Sequence, residues 1–321
     1  MDKFLERYSS AIEQAFGEYY RRHTSPAHLY QPVHYILSLG GKRLRPALVL
    51  LAADSFGCPL EKAMPAAMAI EVFHNFSLVH DDIMDRAPLR RGHPTVHCRW
   101  DANTAILSGD VMMIQAYELF ESYQGDTFRE VILAFNRVAR QVCEGQQLDM
   151  DYEKIGDVSQ EQYMEMIRLK TAVLIGGALR IGGIVAGAST RELEALEGFG
   201  TDVGLAFQLT DDYLDTFGDP RTFGKRIGGD ILEGKKTFLY ITARERASQE
   251  EFERAFSLAD EEEKIEAVRD LYRTTGADQA LREQIDRYTE KALAHVDRLP
   301  FSQPYREHYI RLARALVQRK L

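Results

Sequence analysis

Apolar residues recur at spacings of three and four along most of the chain. Over residues 2–22, Leu5, Tyr8, Ile12, Ala15, Phe16 and Tyr19 mark one face of an amphipathic helix. The segments 44–56, 61–80, 103–123, 127–150, 160–175 and 190–209 are rich in Ala, Leu, Met and Glu and lack strict alternation. Each therefore predicts a helix rather than a strand. Capping boxes predict three helix starts: Thr127 with Glu130, Ser159 with Gln162, and Ser189 with Glu192. Residues 236–320 continue in charged amphipathic stretches such as EEEKIEAVRDLYR. No strand or hairpin, fixed-period repeat or low-complexity linker stands out. The pattern predicts an all-α bundle of ten or more helices, forming a single domain over residues 1–321.

Two segments break this pattern. Residues 86–99 (RAPLRRGHPTVHCR) carry two prolines, a glycine and four arginines. Residues 218–236 (GDPRTFGKRIGGDILEGKK) carry five glycines and five basic residues. Such loops stand out because the whole chain is acidic: 40 Lys and Arg against 49 Asp and Glu, a net charge of −9. That balance argues against nucleic-acid binding, which needs a basic field. An anionic ligand would have to be held by local cations or by metal ions. Cys58, Cys98 and Cys143 form no CxxC pair, so neither a disulfide framework nor a zinc site is predicted, and a reducing cytoplasm fits. The opening MDKFLERY lacks the pattern of a signal peptide. PALVLLAA ends at Asp54 and AVLIGGALRIGGIVAGA is cut by Arg180. Both fall short of the ~18–20 uninterrupted apolar residues that a membrane span needs.

The candidate chemistry lies in two matching acidic clusters. Asp81, Asp82 and Asp85 close one apolar run, and Asp211, Asp212 and Asp215 close another. In each, the first and last aspartates stand at i and i+4, on one helix face. Three carboxylates at a helix C-terminus oppose the macrodipole, which favours cations there. A doubled cost of this kind predicts bound divalent metal, and an all-oxygen donor set points to magnesium rather than zinc. Magnesium is usually held by carboxylates together with substrate phosphates. Cations that could complete such a site follow both clusters: Arg90 and Arg91, then Lys225, Arg226, Lys235 and Lys236. GGKRLR at 40–45 adds a basic, Gly-led segment opening a helix, a natural phosphate site. The residues thus predict a diphosphate substrate, with room for two. No Walker A sequence or βαβ setting argues for a nucleotide.

LGGKRLRP, LVHDDIMD followed by RRG, Lys170-Thr171, FQLTDDYLD and GK-x₄-DILEGKKT stand in the order and spacing of the trans-isoprenyl diphosphate synthases. The chain resembles that family from about residue 30 to 245. The resemblance implies an all-α isoprenoid synthase type I fold around a deep central cavity, in a homodimer. It also implies head-to-tail (1′-4) condensation of isopentenyl diphosphate with an allylic diphosphate (dimethylallyl, geranyl or farnesyl), using three Mg²⁺. By the same resemblance Asp81, Asp85 and Asp211 are direct metal ligands, and Asp82, Asp212 and Asp215 direct or water-mediated ones. Arg90, Lys170, Thr171, Gln208, Lys225 and Lys235 correspond to the allylic-diphosphate side. Gly41, Lys42, Arg45, His74 and Arg91 correspond to the isopentenyl-diphosphate side, with Gly41 letting the backbone approach that diphosphate. The departing diphosphate serves as base.

Competing readings have weaker support. Glu71 and His74 spell an ExxH, but a di-iron bundle needs a second copy. A class I terpene cyclase needs one diphosphate site, whereas GGKRLR and RRG imply two. A silent partner subunit would be expected to lose one aspartate cluster. Product length turns on the helix before the first cluster, which carries Phe73, Phe76 and Ser77. One aromatic beside a small residue resembles a C20 (geranylgeranyl) synthase, with C15 (farnesyl) next and longer products third. A helical wheel places Ser77 nearest the Asp81 face and Phe76 well off it.

Overall fold

The computed structural model describes residues 3–19, 21–219 and 227–317. The helices in order are α1 (Lys3–Tyr19), α2 (Ala27–Ser38), α3 (Leu44–Ser55), α4 (Leu60–Met84), α5 (Val96–Arg99), α6 (Ala102–Phe120) and α7 (Gly125–Lys154). Then come α8 (Gln160–Ile167), a π-turn (Arg168–Ala172), α9 (Val173–Val185) and α10 (Thr190–Phe217). The remainder is α11 (Gly229–Glu233), α12 (Phe238–Arg246), α13 (Gln249–Phe256), α14 (Glu261–Thr274), α15 (Ala277–Val296) and α16 (Gln303–Val317). The all-α class follows the hydrophobic period.

The chain forms two compact units. The first takes residues up to Ala139 together with Gly177–Glu197; the second takes Arg140–Gly176 and the chain from Gly198 onward. In the first unit, α4 packs against α3 and α6, and α6 also packs on α2. Pro46 to Ala53 are all buried, which explains why PALVLLAA reads as apolar without a period: a helix covered on every side has no polar face to keep. In the second unit the core joins α8, α10, α12, α14 and α15 through Tyr163, Leu205, Leu209, Phe238, Val268 and Leu281. Among the described residues no helix is long and apolar enough to cross a membrane.

Three expectations need correction. The loop after the first acidic cluster holds a short hairpin, β1 (Leu89–Arg90) paired antiparallel with β2 (His93–Pro94). Its turn residues Arg91 (φ 54°) and Gly92 (φ 77°) are both left-handed, the twist that two-residue hairpins favour. No strand signal showed because the ladder has only two residues on each side. Thr127 does not open a helix, since α7 already begins at Gly125. The run 160–175 is not one helix, because the π-turn interrupts it. Ser159 and Gln162 do form the full reciprocal box, and the Ser189 amide donates to Glu192 Oε2 at 2.6 Å.

Candidate active site

In the first unit, α4 runs through the acidic cluster to Met84, with Asp85 as its C-cap. Asp82 is the buried member, 1% exposed, while Asp81 is part-exposed and Asp85 exposed. The hairpin register aims Arg90 back at the helix end. Arg90 Nε and Nη2 both donate to Asp82 Oδ1, at 2.9 and 2.5 Å, and Nη2 lies 3.5 Å from Asp81 Oδ2. Burial still pushes the Asp82 carboxyl upward against that pairing. Its Oδ2 is buried with no hydrogen-bond partner among the described residues. An orphaned buried carboxylate oxygen is the type of atom that a cation or an ordered water satisfies.

A second cluster of cations stands in the same unit. Arg43, with left-handed φ of 44°, precedes α3 and is buried. Its guanidinium donates to Glu71 Oε1 and Glu13 Oε1, both at 2.7 Å, and to the Leu37 carbonyl at 2.5 Å. Two residues on, Arg45 Nη1 and His74 Nε2 stand 3.1 Å apart. Arg45 must be the donor, because a guanidinium carries no acceptor. Burial, with the Arg45, Arg91, Arg90 and Arg43 charges, holds His74 well below its ordinary range, so the imidazole is neutral. Burial likewise lowers Arg45 to about 10, Glu71 opposing and Arg91 adding to the effect. The buried Arg45 Nε has no acceptor among the described residues. A cationic pocket with an unused donor is built for an anion.

Gly41 packs against the hairpin. A Cβ there would stand 2.9 Å from Arg91 Cζ, and Arg91 Nη1 donates to the Gly40 carbonyl. The missing side chain makes room for the Arg91 guanidinium and so ties the Gly-Gly turn to the hairpin. Lys42 is exposed on the same turn.

In the second unit the other cluster sits in the last two turns of α10. Again the second aspartate is the buried one: Asp212 is 5% exposed, whereas Asp211 and Asp215 are part-exposed. Asp212 accepts from Gln208 Nε2 at 3.1 Å and from the Tyr163 hydroxyl. Burial, then the Asp230 charge, pushes it up to about 8 despite these bonds. A nearby cation would relieve that repulsion. Asp215 Oδ2 accepts the Asp230 amide at 2.9 Å. Thr171 Oγ1 donates to Gln208 Oε1 at 3.1 Å, and Lys170 Nζ meets Asp149 Oδ2 at 2.5 Å. Lys235 reaches Asp230 at 3.4 Å and Glu233 at 2.9 Å. Lys236 instead donates to the carbonyls of Tyr152 and Glu153 near the end of α7, where a cation suits the helix dipole. Lys225 and Arg226 lie outside the described residues.

Asp149, Tyr163 and Asp230 were not singled out from the sequence, though each contacts a predicted site residue. Asp149 had a visible signal, since EGQQLDMD is a polar stretch in an otherwise amphipathic helix. Tyr163 had none. Among the described residues no group of three His, Cys, Asp or Glu side chains is closed around one point. Both clusters offer oxygen donors only, which fits a hard cation that completes its shell with phosphate oxygens and water.

Chain comparison agrees with this chemistry. The family model described as polyprenyl synthetase matches residues 26–275. The geranylgeranyl pyrophosphate synthase of Geoglobus acetivorans is 39% identical over 298 residues, 92% of each chain. A crystal structure of a geranylgeranyl pyrophosphate synthase aligns at TM-score 0.92 and 47% identity, covering 98% of this chain and 99% of that one. The Corynebacterium glutamicum geranylgeranyl pyrophosphate synthase, complexed with isoprenyl diphosphate and magnesium, aligns at TM-score 0.85 and 30% identity, covering 100% of this chain and 99% of that one. With two acidic clusters, a basic pocket with an unused donor and similarity over nearly the whole length, this chain belongs to the polyprenyl synthetase family of prenyltransferases.

Proposed function

We propose that the protein condenses isopentenyl diphosphate head-to-tail with allylic diphosphates, and that its main product is geranylgeranyl diphosphate. The observation that carries this reading is the coexistence of two aspartate clusters with a separate cationic pocket holding an unused Arg45 donor. One diphosphate would not need both. Asp81, Asp85 and Asp211 are the proposed magnesium ligands, with Asp82, Asp212 and Asp215 as direct or water-mediated ones and three ions per site. The ions supply neutralisation of the charge that develops on the leaving diphosphate.

The chain's own residues do the rest. Arg90, Lys170, Lys225 and Lys235 hold the allylic diphosphate, and Thr171 and Gln208 orient it. Arg45 holds the second diphosphate with Lys42 and Arg91, while neutral His74 fixes the Arg45 guanidinium. The allylic C–O bond breaks with its electron pair leaving on diphosphate. The isopentenyl alkene attacks the allylic carbon, and the proton lost from the adduct passes to the departed diphosphate. Apolar walls keep water from the cation. No protein nucleophile is required. The whole chain acts as one synthase domain, in a cytoplasmic homodimer. Support for the dimer comes from Ile106, Leu107 and Ile114, apolar residues exposed on α6.

The test is to supply isopentenyl diphosphate and magnesium with dimethylallyl, geranyl or farnesyl diphosphate and size the products by mass spectrometry. A C20 diphosphate formed only with isopentenyl diphosphate present is the expected result, and chelation with EDTA should stop it. No consumption of isopentenyl diphosphate would overturn the reading.

A further inference from the structure

The π-turn Arg168–Ala172 carries Lys170 and Thr171, and its extra residue is locked by the Val173 amide bonding to the Arg168 carbonyl. Isolated π-turns cost hydrogen-bond geometry and are common at functional sites. Two glycines hold this one. A Cβ on Gly145 of α7 would meet the Leu169–Lys170 peptide, nearest the Lys170 nitrogen and 2.6 Å from Leu169 C. A Cβ on Gly204 of α10 would stand 2.7 Å from Ala172 Cα. Both obstacles are backbone, which cannot swing aside as a side chain can.

One helical turn beyond each glycine, on the same face, is the residue that binds the turn's side chains. Asp149 follows Gly145 by four and pairs with Lys170; Gln208 follows Gly204 by four and accepts from Thr171. We infer that Gly145–Asp149 and Gly204–Gln208 are matched notch-and-anchor pairs, positioning residues that set where Lys170 and Thr171 present their polar atoms to the allylic diphosphate. This rests on the allylic role proposed above for Lys170 and Thr171. An added methyl at 145 would push the peptide back by about 1 Å to reach ordinary contact. A misplacement of about 1 Å can cost about 100-fold in rate.

The experiment uses the full chain and compares wild type with Gly145→Ala, Asp149→Asn and a control, Gly183→Ala, whose Cβ would first meet leucine and alanine side chains rather than backbone. Steady-state kinetics are measured against each diphosphate separately, and hydrogen–deuterium exchange is followed over 168–172. Gly145→Ala should lose about 100-fold in kcat/KM for the allylic substrate, leave KM for isopentenyl diphosphate unchanged and speed exchange over 168–172. Gly183→Ala should keep both KM values. A folded Gly145→Ala with wild-type exchange and wild-type allylic kinetics overturns the inference, as does an equal allylic loss in Gly183→Ala. If Gly145→Ala does not fold, Asp149→Asn decides: its kcat/KM for the allylic substrate must fall while KM for isopentenyl diphosphate holds, and an unchanged allylic kcat/KM overturns the inference. Failure of wild type to consume isopentenyl diphosphate would sink the functional reading instead, and the exchange data would still score the notch.

Discussion

Arg43 shows how one side chain in a basic motif can serve the fold rather than the ligand. Its side chain is 1% exposed and that of its partner Glu71 is 3% exposed, so the pair is wholly desolvated. Such a pair adds little net stability, but removing one partner strands the other. Arg43→Ala should therefore destabilise the protein by about 3–5 kcal/mol, read as a lower urea midpoint at unchanged slope. Glu71 also accepts from Asn75 Nδ2, at 3.1 Å, so the loss would extend into α4. The sequence placed Lys42, Arg43 and Arg45 in one cluster, and only the family resemblance, not the residues themselves, set Lys42 and Arg45 apart from Arg43. Separation depends on the left-handed turn at Arg43 and on a partner 28 residues away, neither of which has a local signature. The two aspartate clusters were legible because spacing alone puts their outer carboxylates on one face. Which carboxylate is buried was not, since burial comes from the neighbours that cover it.

At the level of elements, α4 carries His74 of the proposed isopentenyl side, the candidate product-length residues Phe73, Phe76 and Ser77, and the first acidic cluster on one rod. Phe73 is fully buried and meets the Phe135 ring edge-on at 5.2 Å, the contact of an ordinary core aromatic. Phe76 is half-buried, touches Phe73 and His80, and lines a groove with Leu29, Leu107, Val111 and Ile114. Ser77 turns its hydroxyl to the His74 carbonyl at 2.8 Å, so it fills little space. If Phe76 limits the growing chain, Phe76→Ala should shift the main product beyond C20 with little loss of turnover. Mass spectrometry of the products checks this, and an unchanged length would place the limit elsewhere. Helix existence was readable from periodicity, and Ser159-x-x-Gln162 gave a start correctly. Ser248 and Glu251 form a second full box at the start of α13, a signal of the same kind in the sequence. The π-turn could not be read, because one extra residue within a single turn hardly disturbs a period of 3.6.

For the whole molecule, the exposed apolar side chains of α6 are the feature that a solitary copy leaves unexplained. Leu107 and Ile114 are 58% and 56% exposed, on a chain whose net charge of −9 otherwise favours dispersal. The proposed homodimer would cover them. The double substitution Leu107→Glu with Ile114→Glu should halve the mass measured by sedimentation equilibrium. A wild-type monomer, or an unchanged dimer in the variant, would count against this face as the contact.

The division into two units has a consequence for how the protein must be made. The first unit is not a continuous stretch: its last piece, Gly177–Glu197, follows a segment that belongs to the second. All three switches fall inside helices, within α7, α9 and α10. A nascent chain leaving the ribosome therefore cannot finish its N-terminal half until residue 197 is out. Until then its early helices wait with apolar surface uncovered, the state in which chaperones find their clients.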